Sequence, residues 1–347
     1  MKFIFMLIMV LLSFNSMIIA QKVNNKAIIL EEFVFDPPPS PECHASTIVE
    51  TPKGLVVAWF GGTYERHKDV EILLSRKISD KWTTPISVAN GVQKNGERYP
   101  CWNPVLFQIP EGRLILFYKV GPNPREWWGV FKTSDDNGKS WSDATKLPKG
   151  ILGPIKNKPI LLNSRRLISP SSTEHDGWRV HFEISEDLGE TWKIIYPFEN
   201  IEKFNVIQPT ILTYHNNKLQ ILCRSKEDQI ITSWSEDDGI TWSPLKNTSL
   251  PNPNSGIDAV TLNSELQLIV YNHSKKTVGK WGGPRTPLNV AVSQDGENWN
   301  KVLTLEDGEG EYSYPAIIQS KDGLVHITYT WKRLKIKYVV VDPKKLP

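Results

Sequence analysis

The chain has 347 residues, a formal net charge of +3, 13 Trp and 3 Cys. So small a charge gives no electrostatic pull toward nucleic acid, and none is expected as a partner. Three widely spaced cysteines form neither a disulfide framework nor a zinc signature, so no metal or other cofactor is expected.

The chain opens MKFIFMLIMVLLSFNSMIIAQK. One Lys followed by an apolar run ending near Ala20 reads as a signal peptide over residues 1–20. That predicts a periplasmic or secreted protein with no membrane attachment after cleavage. Residues 21–347 are then one domain, expected as a monomer.

Residues 27–35 (AIILEEFVF) form an isolated apolar strand. Six segments of one shape follow: CHASTIVETPKGLVVAWFGG, WNPVLFQIPEGRLILFYKVG, IKNKPILLNSRRLISPSSTE, VIQPTILTYHNNKLQILCRS, GIDAVTLNSELQLIVYNHS and YSYPAIIQSKDGLVHITYTW. Each is a polar residue, a short apolar strand, a turn and a second apolar strand, which predicts six hairpins. Between them recurs a turn of the type SEDLGETW. Its copies end at Trp141, Trp192, Trp242 and Trp299, with a worn one, SRKISDKW, ending at Trp82. Ser and Asp can bond the backbone of such a turn, Gly takes the positive φ, and Trp packs back onto the sheet. A period of about 50 to 60 residues made of short strands marks propeller blades. The expected fold is all-β, a six-bladed β-propeller, with residues 27–35 closing the last blade beside KIKYVVVD. The run WKRLKIKY reads as the polar face of a strand.

The turn resembles the Asp box of the sialidase superfamily, and the resemblance spans nearly all of residues 21–347. That box marks a fold, not an activity. In such a propeller the inner strands start around the central channel on one face and the Asp boxes lie on the other. The first residues of the six hairpins then form a ring of His44, Asn103, Lys158, Gln208, Asp258 and Tyr314, with Tyr312 beside it. Arg224 and the run Ser171–Glu174 stand at second-strand ends. A ring of ionisable and amide groups suits a ligand site, although individual members can serve to solvate the channel.

The resemblance implies site residues one by one. Arg224 and Arg285 match two of the three arginines with which sialidases grip a carboxylate, and Tyr312 matches the nucleophilic tyrosine. The first arginine's motif is replaced by His44-Ala45-Ser46, and Gln208 stands where a glutamate would activate the tyrosine. No acid Asp is found in GGTYERHKD, Asp69 aligning further along. Two guanidiniums offer forked donors to an acidic sugar, but hydrolysis also needs a base for the tyrosine and an acid for the leaving oxygen. The chain is also similar to a bacterial group known as predicted neuraminidases, through ECHASTIVETPKGLVVAWFGGT, FYKVGPNPREWWG and LPNPNSGIDAV, and to the ulvan-oligosaccharide dehydratases of marine flavobacteria. That likeness implies an acidic oligosaccharide substrate whose non-reducing-end uronic acid is dehydrated by β-elimination to a 4,5-unsaturated uronate. His44, Tyr312 and Tyr314 are the candidates for base and acid. Arg224, Arg285, Gln208, Asn103, Lys158 and Asp258 would bind substrate. A sialidase-like exo-hydrolase and a non-catalytic glycan-binding propeller are the alternatives. Trp127 and Trp128 could stack on sugar or pack between blades. Lys156 could meet an anion, and Glu174 or Asp258 could orient His44.

Overall fold

The computed structural model describes residues 26–175, 177–198 and 203–347; the segment expected to be a signal peptide, residues 1–20, lies outside them. Six antiparallel sheets surround a central channel. Blade 1 begins with Glu42–Thr51 and Gly54–Gly62, followed by Glu71–Ile78, against which both Lys81–Trp82 and Ile86–Ala89 pair. Blade 2 runs from Cys101–Gln108 through Leu114–Val120 and Trp128–Ser134 to Thr145–Lys146. The innermost strand of blade 3 is reduced to Ile160–Leu161, ahead of Leu167–Thr173, Arg179–Ser185 and Lys193–Ile195. Blade 4 spans Val206–Pro251, and blade 5 Asp258–Glu306. Blade 6 comprises Tyr312–Gln319, Val325–Trp331 and Lys335–Val341, and its outer strand is Ile28–Phe33, with Glu31 opposite Val339. This closure by the first described strand is the one expected from AIILEEFVF.

Each sheet is packed on both faces, which explains why the inner strands read as unbroken apolar runs such as LVVAWF and LILFY. Val56, Ala58, Ile72 and Leu74 of blade 1 meet Leu106, Leu116 and Tyr118 of blade 2. Leu268, Val270 and Leu288 of blade 5 meet Ile317, Ile327 and Tyr329 of blade 6.

The three full Asp boxes and the shortened SQDGENW share one bonding pattern, with Asn298 in place of the hydroxyl residue in the last. In SEDLGETW, Ser185 Oγ donates to Asp187 (2.7 Å) and accepts from Gly189 N (2.7 Å), while Thr191 donates to Asp187 through both N (2.8 Å) and Oγ1 (2.6 Å). Those bonds hold the Asp187 carboxyl down at about 2. The worn copy differs: Ser79 and Asp80, both left-handed, form a two-residue hairpin, and Trp82 Nε1 donates to Glu32 at 2.8 Å. The boxes lie on the same side as the hairpin turns, since Thr51, Gly54, Asp136 and Asn137 line one cavity. The opposite face is therefore free to carry a site.

Candidate active site

The inner strands of blades 1, 2, 4 and 6 each carry an extra residue near their start, where the register with the second strand slips. The bulged residues Ala45, Asn103, Gln208 and Tyr314 all have left-handed backbones, with φ of 55°, 38°, 55° and 52°. Such a conformation costs a non-glycine residue on the order of 1–3 kcal/mol. Three of the four precede Pro (Asn103-Pro104, Gln208-Pro209, Tyr314-Pro315), which lacks the N–H a regular ladder needs. The bulges end regular pairing and turn polar side chains into the channel.

Tyr314 is the centre of the cluster. Its phenol oxygen accepts from Arg224 Nη1 at 2.8 Å and from Gln208 Nε2 at 3.2 Å. Gly256 passes so close that a Cβ there would stand 3.3 Å from the Tyr314 ring and 3.2 Å from Lys156. The His44 ring lies against Tyr314 with centroids 4.2 Å apart, and its Nδ1 is 3.0 Å from Thr330 Oγ1. His44 is buried, and that burial, reinforced by Arg333, Arg285, Arg224 and Lys156, pushes its pKa well below the ordinary histidine value. The imidazole is neutral at physiological pH.

Three arginines surround this pair. Arg224 is fixed by Asn254, which accepts from its Nε at 2.9 Å. The guanidinium carbon of Arg285 stands 5.8 Å from the Tyr314 ring centre, and its Nη1 bonds Glu311 at 2.8 Å. Arg333 reaches Glu311 at 3.0 Å and Glu65 at 2.5 Å. Burial works to raise the Glu311 carboxyl, but Arg285 and Arg333, with Ser313, outweigh it and keep it ionised. Arg333 is the residue that sequence reasoning missed. WKRLKIKY is not one strand: Lys332 and Arg333 form a left-handed turn, and only Lys335–Val341 continues as strand. The motif carries no local sign that this turn faces the channel.

Several expected members lie elsewhere. Tyr312 packs into the core between blades 5 and 6 and donates to Glu309 O at 3.3 Å, so Tyr314 is the tyrosine of the site. Lys158 and Asp258 pair at 3.0 Å below the site, and Lys158 lines a cavity of about 490 Å³ on the hairpin-turn side, with Glu50, Gln108 and Gln319. The inner strand of blade 3 is the reduced one, so Lys158 does not sit at a bulge. Lys156 is no surface lysine: its ammonium is buried on Asn157 Oδ1, Ile257 O and Pro315 O, tying blades 3, 5 and 6 together. Glu174 accepts from Trp178 Nε1 and Asp258 is spent on Lys158, so Thr330, not a carboxylate, orients His44. Asn103 holds the blade 2 bulge. Trp127 is buried against Trp102, whereas Trp128 is half-buried beneath Lys146. Asp69 is locked in its loop: although burial works upward, bonds from Thr63 and His67 hold it at about 2, leaving no proton to donate at neutral pH. Cys43, Cys101 and Cys223 are buried and free, and burial pushes their thiols up, that of Cys43 to about 12. Among the described residues no three His, Cys, Asp or Glu gather into a group that could hold a metal.

The BNR repeat-like domain family matches residues 53–327. The chain belongs to this family. No curated protein matches it by sequence. Among solved structures, an intramolecular trans-sialidase from Ruminococcus gnavus superposes with a TM-score of 0.71 at 13% identity, covering 92% of this chain and 99% of that one. The NanB sialidase of Streptococcus pneumoniae gives 0.72 at 13% identity, over 92% of this chain and 71% of its own. A protein of unknown function from Dyadobacter fermentans gives 0.72 at 16% identity, over 90% and 98%. These likenesses establish the sialidase-like propeller fold.

Proposed function

We propose that this BNR-family propeller is an enzyme acting on the non-reducing-end uronic acid of anionic oligosaccharides, dehydrating it to a 4,5-unsaturated uronate. The observation that carries the reading is a neutral, buried His44 packed on Tyr314 inside three arginines, with an amide and not a carboxylate on the phenol oxygen. Sialidase-like hydrolysis calls for a carboxylate to activate the tyrosine. Gln208 can only bond it, and the two carboxylates paired with the arginines among the described residues are already engaged, Glu311 by Arg285, Arg333 and Ser313, and Glu65 by Arg333.

The chemistry follows from the charges. A uronate carboxylate enters the arginine clamp, which neutralises it and stabilises enolate-like charge once the C5 proton leaves. His44 is depressed by burial first and by the surrounding cations second, and the same carboxylate offsets the cationic part, so the histidine gains basicity when substrate is bound. With Nδ1–H donating to Thr330, Nε2 holds the lone pair that takes the C5 proton. Tyr314 gives its proton to the C4 hydroxyl, which departs as water while the C4–C5 double bond forms. Arg224 and Gln208 hold the phenolate until it regains a proton from solvent, to which His44 releases the one it took. The balance is loss of one water, with no redox change.

The test is incubation with a glucuronate-terminated oligosaccharide, followed by mass spectrometry and ultraviolet absorbance. Loss of one water from the intact chain with new ene-carboxylate absorbance is the expected result. Release of a monosaccharide with gain of water would show a hydrolase, and unchanged substrate that binds measurably would show a lectin; either overturns the proposal.

A further inference from the structure

The clamp continues outward along an aromatic wall that the reaction does not use. Arg224 is the penultimate residue of the blade 4 strand Leu219–Ser225 and Lys226 the first beyond it, and the two face one indole. Both lie on the Trp178 ring, Arg224 Cζ at 5.1 Å and Lys226 Nζ at 4.5 Å from its centre. Lys226 Nζ also stands 4.8 Å from the Trp281 ring, which meets Trp178 edge-on at 5.3 Å. Exposure rises along this line: Arg224 is 5% exposed, Lys226 is half-buried and Trp281 is 61% exposed.

Two features mark the outer end as more than surface. Trp281 is an exposed indole whose backbone is nevertheless pinned, its carbonyl accepting from Asn254 Nδ2 at 2.8 Å. The same Asn254 orients Arg224, so wall and clamp are positioned by one side chain. The Lys226 ammonium, in turn, makes no ion pair among the described residues: the neighbouring Glu227 carboxylate is taken up by the N–H groups of Lys226 and Asn205, and two indole faces hold the ammonium through their quadrupoles. A pinned, exposed aromatic beside an ammonium that makes no ion pair among the described residues suits a sugar ring that carries negative charge.

We propose that Lys226 reads an anionic substituent, a sulfate ester or a carboxylate, on the sugar adjoining the clamped uronate, while Trp281 stacks on that sugar's ring. Lys226 and Trp281 lie outward of Arg224 along the Trp178 ring, which moves recognition from the clamped sugar toward its neighbour. The inference rests on the acidic-sugar reading of the clamp and adds a second requirement, for charge on the next residue.

Calorimetric binding to the His44→Gln protein, which keeps substrate unconverted, tests it. The probes are methyl glucuronide and glucuronate-terminated disaccharides whose second sugar is neutral, sulfated or carboxylated. The charged disaccharides should bind about tenfold more tightly than the neutral one, equivalent to about 1.4 kcal/mol, and the stronger of the two identifies the group. Lys226→Gln should erase that preference without changing the Kd of methyl glucuronide, and Lys226→Arg should keep it. Trp281→Ala should weaken all three disaccharides severalfold. If methyl glucuronide binds but charge on the second sugar makes no difference, or Lys226→Gln leaves the preference intact, this inference falls and the clamp stands. If no acidic probe binds, the clamp reading falls and takes this inference with it. If all bind as expected yet no dehydration occurs in the unmodified enzyme, the recognition holds and the chemistry is wrong.

Discussion

The channel holds two polar clusters, one toward each face, and they are finished to different degrees. In the lower one, Asp258 accepts from Lys158, Thr210 Oγ1 and the N–H groups of Ala259 and Ile317, while Lys158 also donates to Ala259 O. Every charge there has its counterpart. In the upper one, three arginines face only Glu311 and Glu65 among the described residues, and the histidine is driven neutral. A saturated buried network locks blades together and asks for nothing more. A cation excess around a neutral imidazole lacks an anion, which a bound ligand can supply.

The comparison can be broken at either end. His44→Gln should reduce kcat by about 10²–10⁴-fold, the usual span for losing a general base, with a melting temperature within a few degrees of the parent; steady-state rates and a thermal melt check both halves. Asp258→Asn should do the reverse. Leaving Lys158 without its partner should cost roughly 3 kcal/mol, the low end for a broken buried pair because Lys158 is partly exposed. The folded fraction should keep its kcat, so a lost kcat without lost stability would place Asp258 in the chemistry after all. Arg224→Lys removes the forked donor and should raise the Kd for methyl glucuronide about 10–100-fold, equivalent to roughly 1.5–3 kcal/mol for charge-assisted hydrogen bonds.

Acid sharpens the contrast further. His44 and His326 have folded-state pKa values below the unfolded value of about 6.5, His326 at about 4 through burial between Ser320 and Tyr338. The unfolded chain then binds more protons, so stability should decline as pH falls from about 6.5 toward 4. The Asp boxes act later. Asp187 stabilises fully above its unfolded value of about 3.9, and that contribution is lost as pH falls through about 2. Denaturant midpoints at stepped pH should show the histidine-linked fall first. The smallest effect is Asp187→Ala, a slight fall in the denaturant midpoint from the lost turn bonds, with no change in activity because the box lies on the far face.

Much of the site was legible in the chain. Frame and ring came from repetition: once hairpins are aligned, His44, Gln208, Arg224 and Tyr314 fall at strand ends, where polar residues interrupt apolar runs. Arg285 was found through its resemblance. The errors share one cause. Tyr312 and Tyr314 are two residues apart, and only the bulge at Tyr314 decides which ring enters the channel. Lys158 and Asp258 were assigned by alignment of hairpins, but blade 3 keeps just two residues of its innermost strand, which drops Lys158 toward the other face.

Local and repeated signals therefore determined the blade count, the closure of blade 6 by residues 27–35 and the face that holds the site, because period and turn chemistry are properties of neighbours in the chain. Only the tertiary structure decided what each polar side chain meets. Arg333 joins the clamp, Lys156 becomes a staple between blades and His44 loses its charge. Those outcomes depend on distances between blades and on burial by distant residues, for which no short stretch of sequence carries a signal.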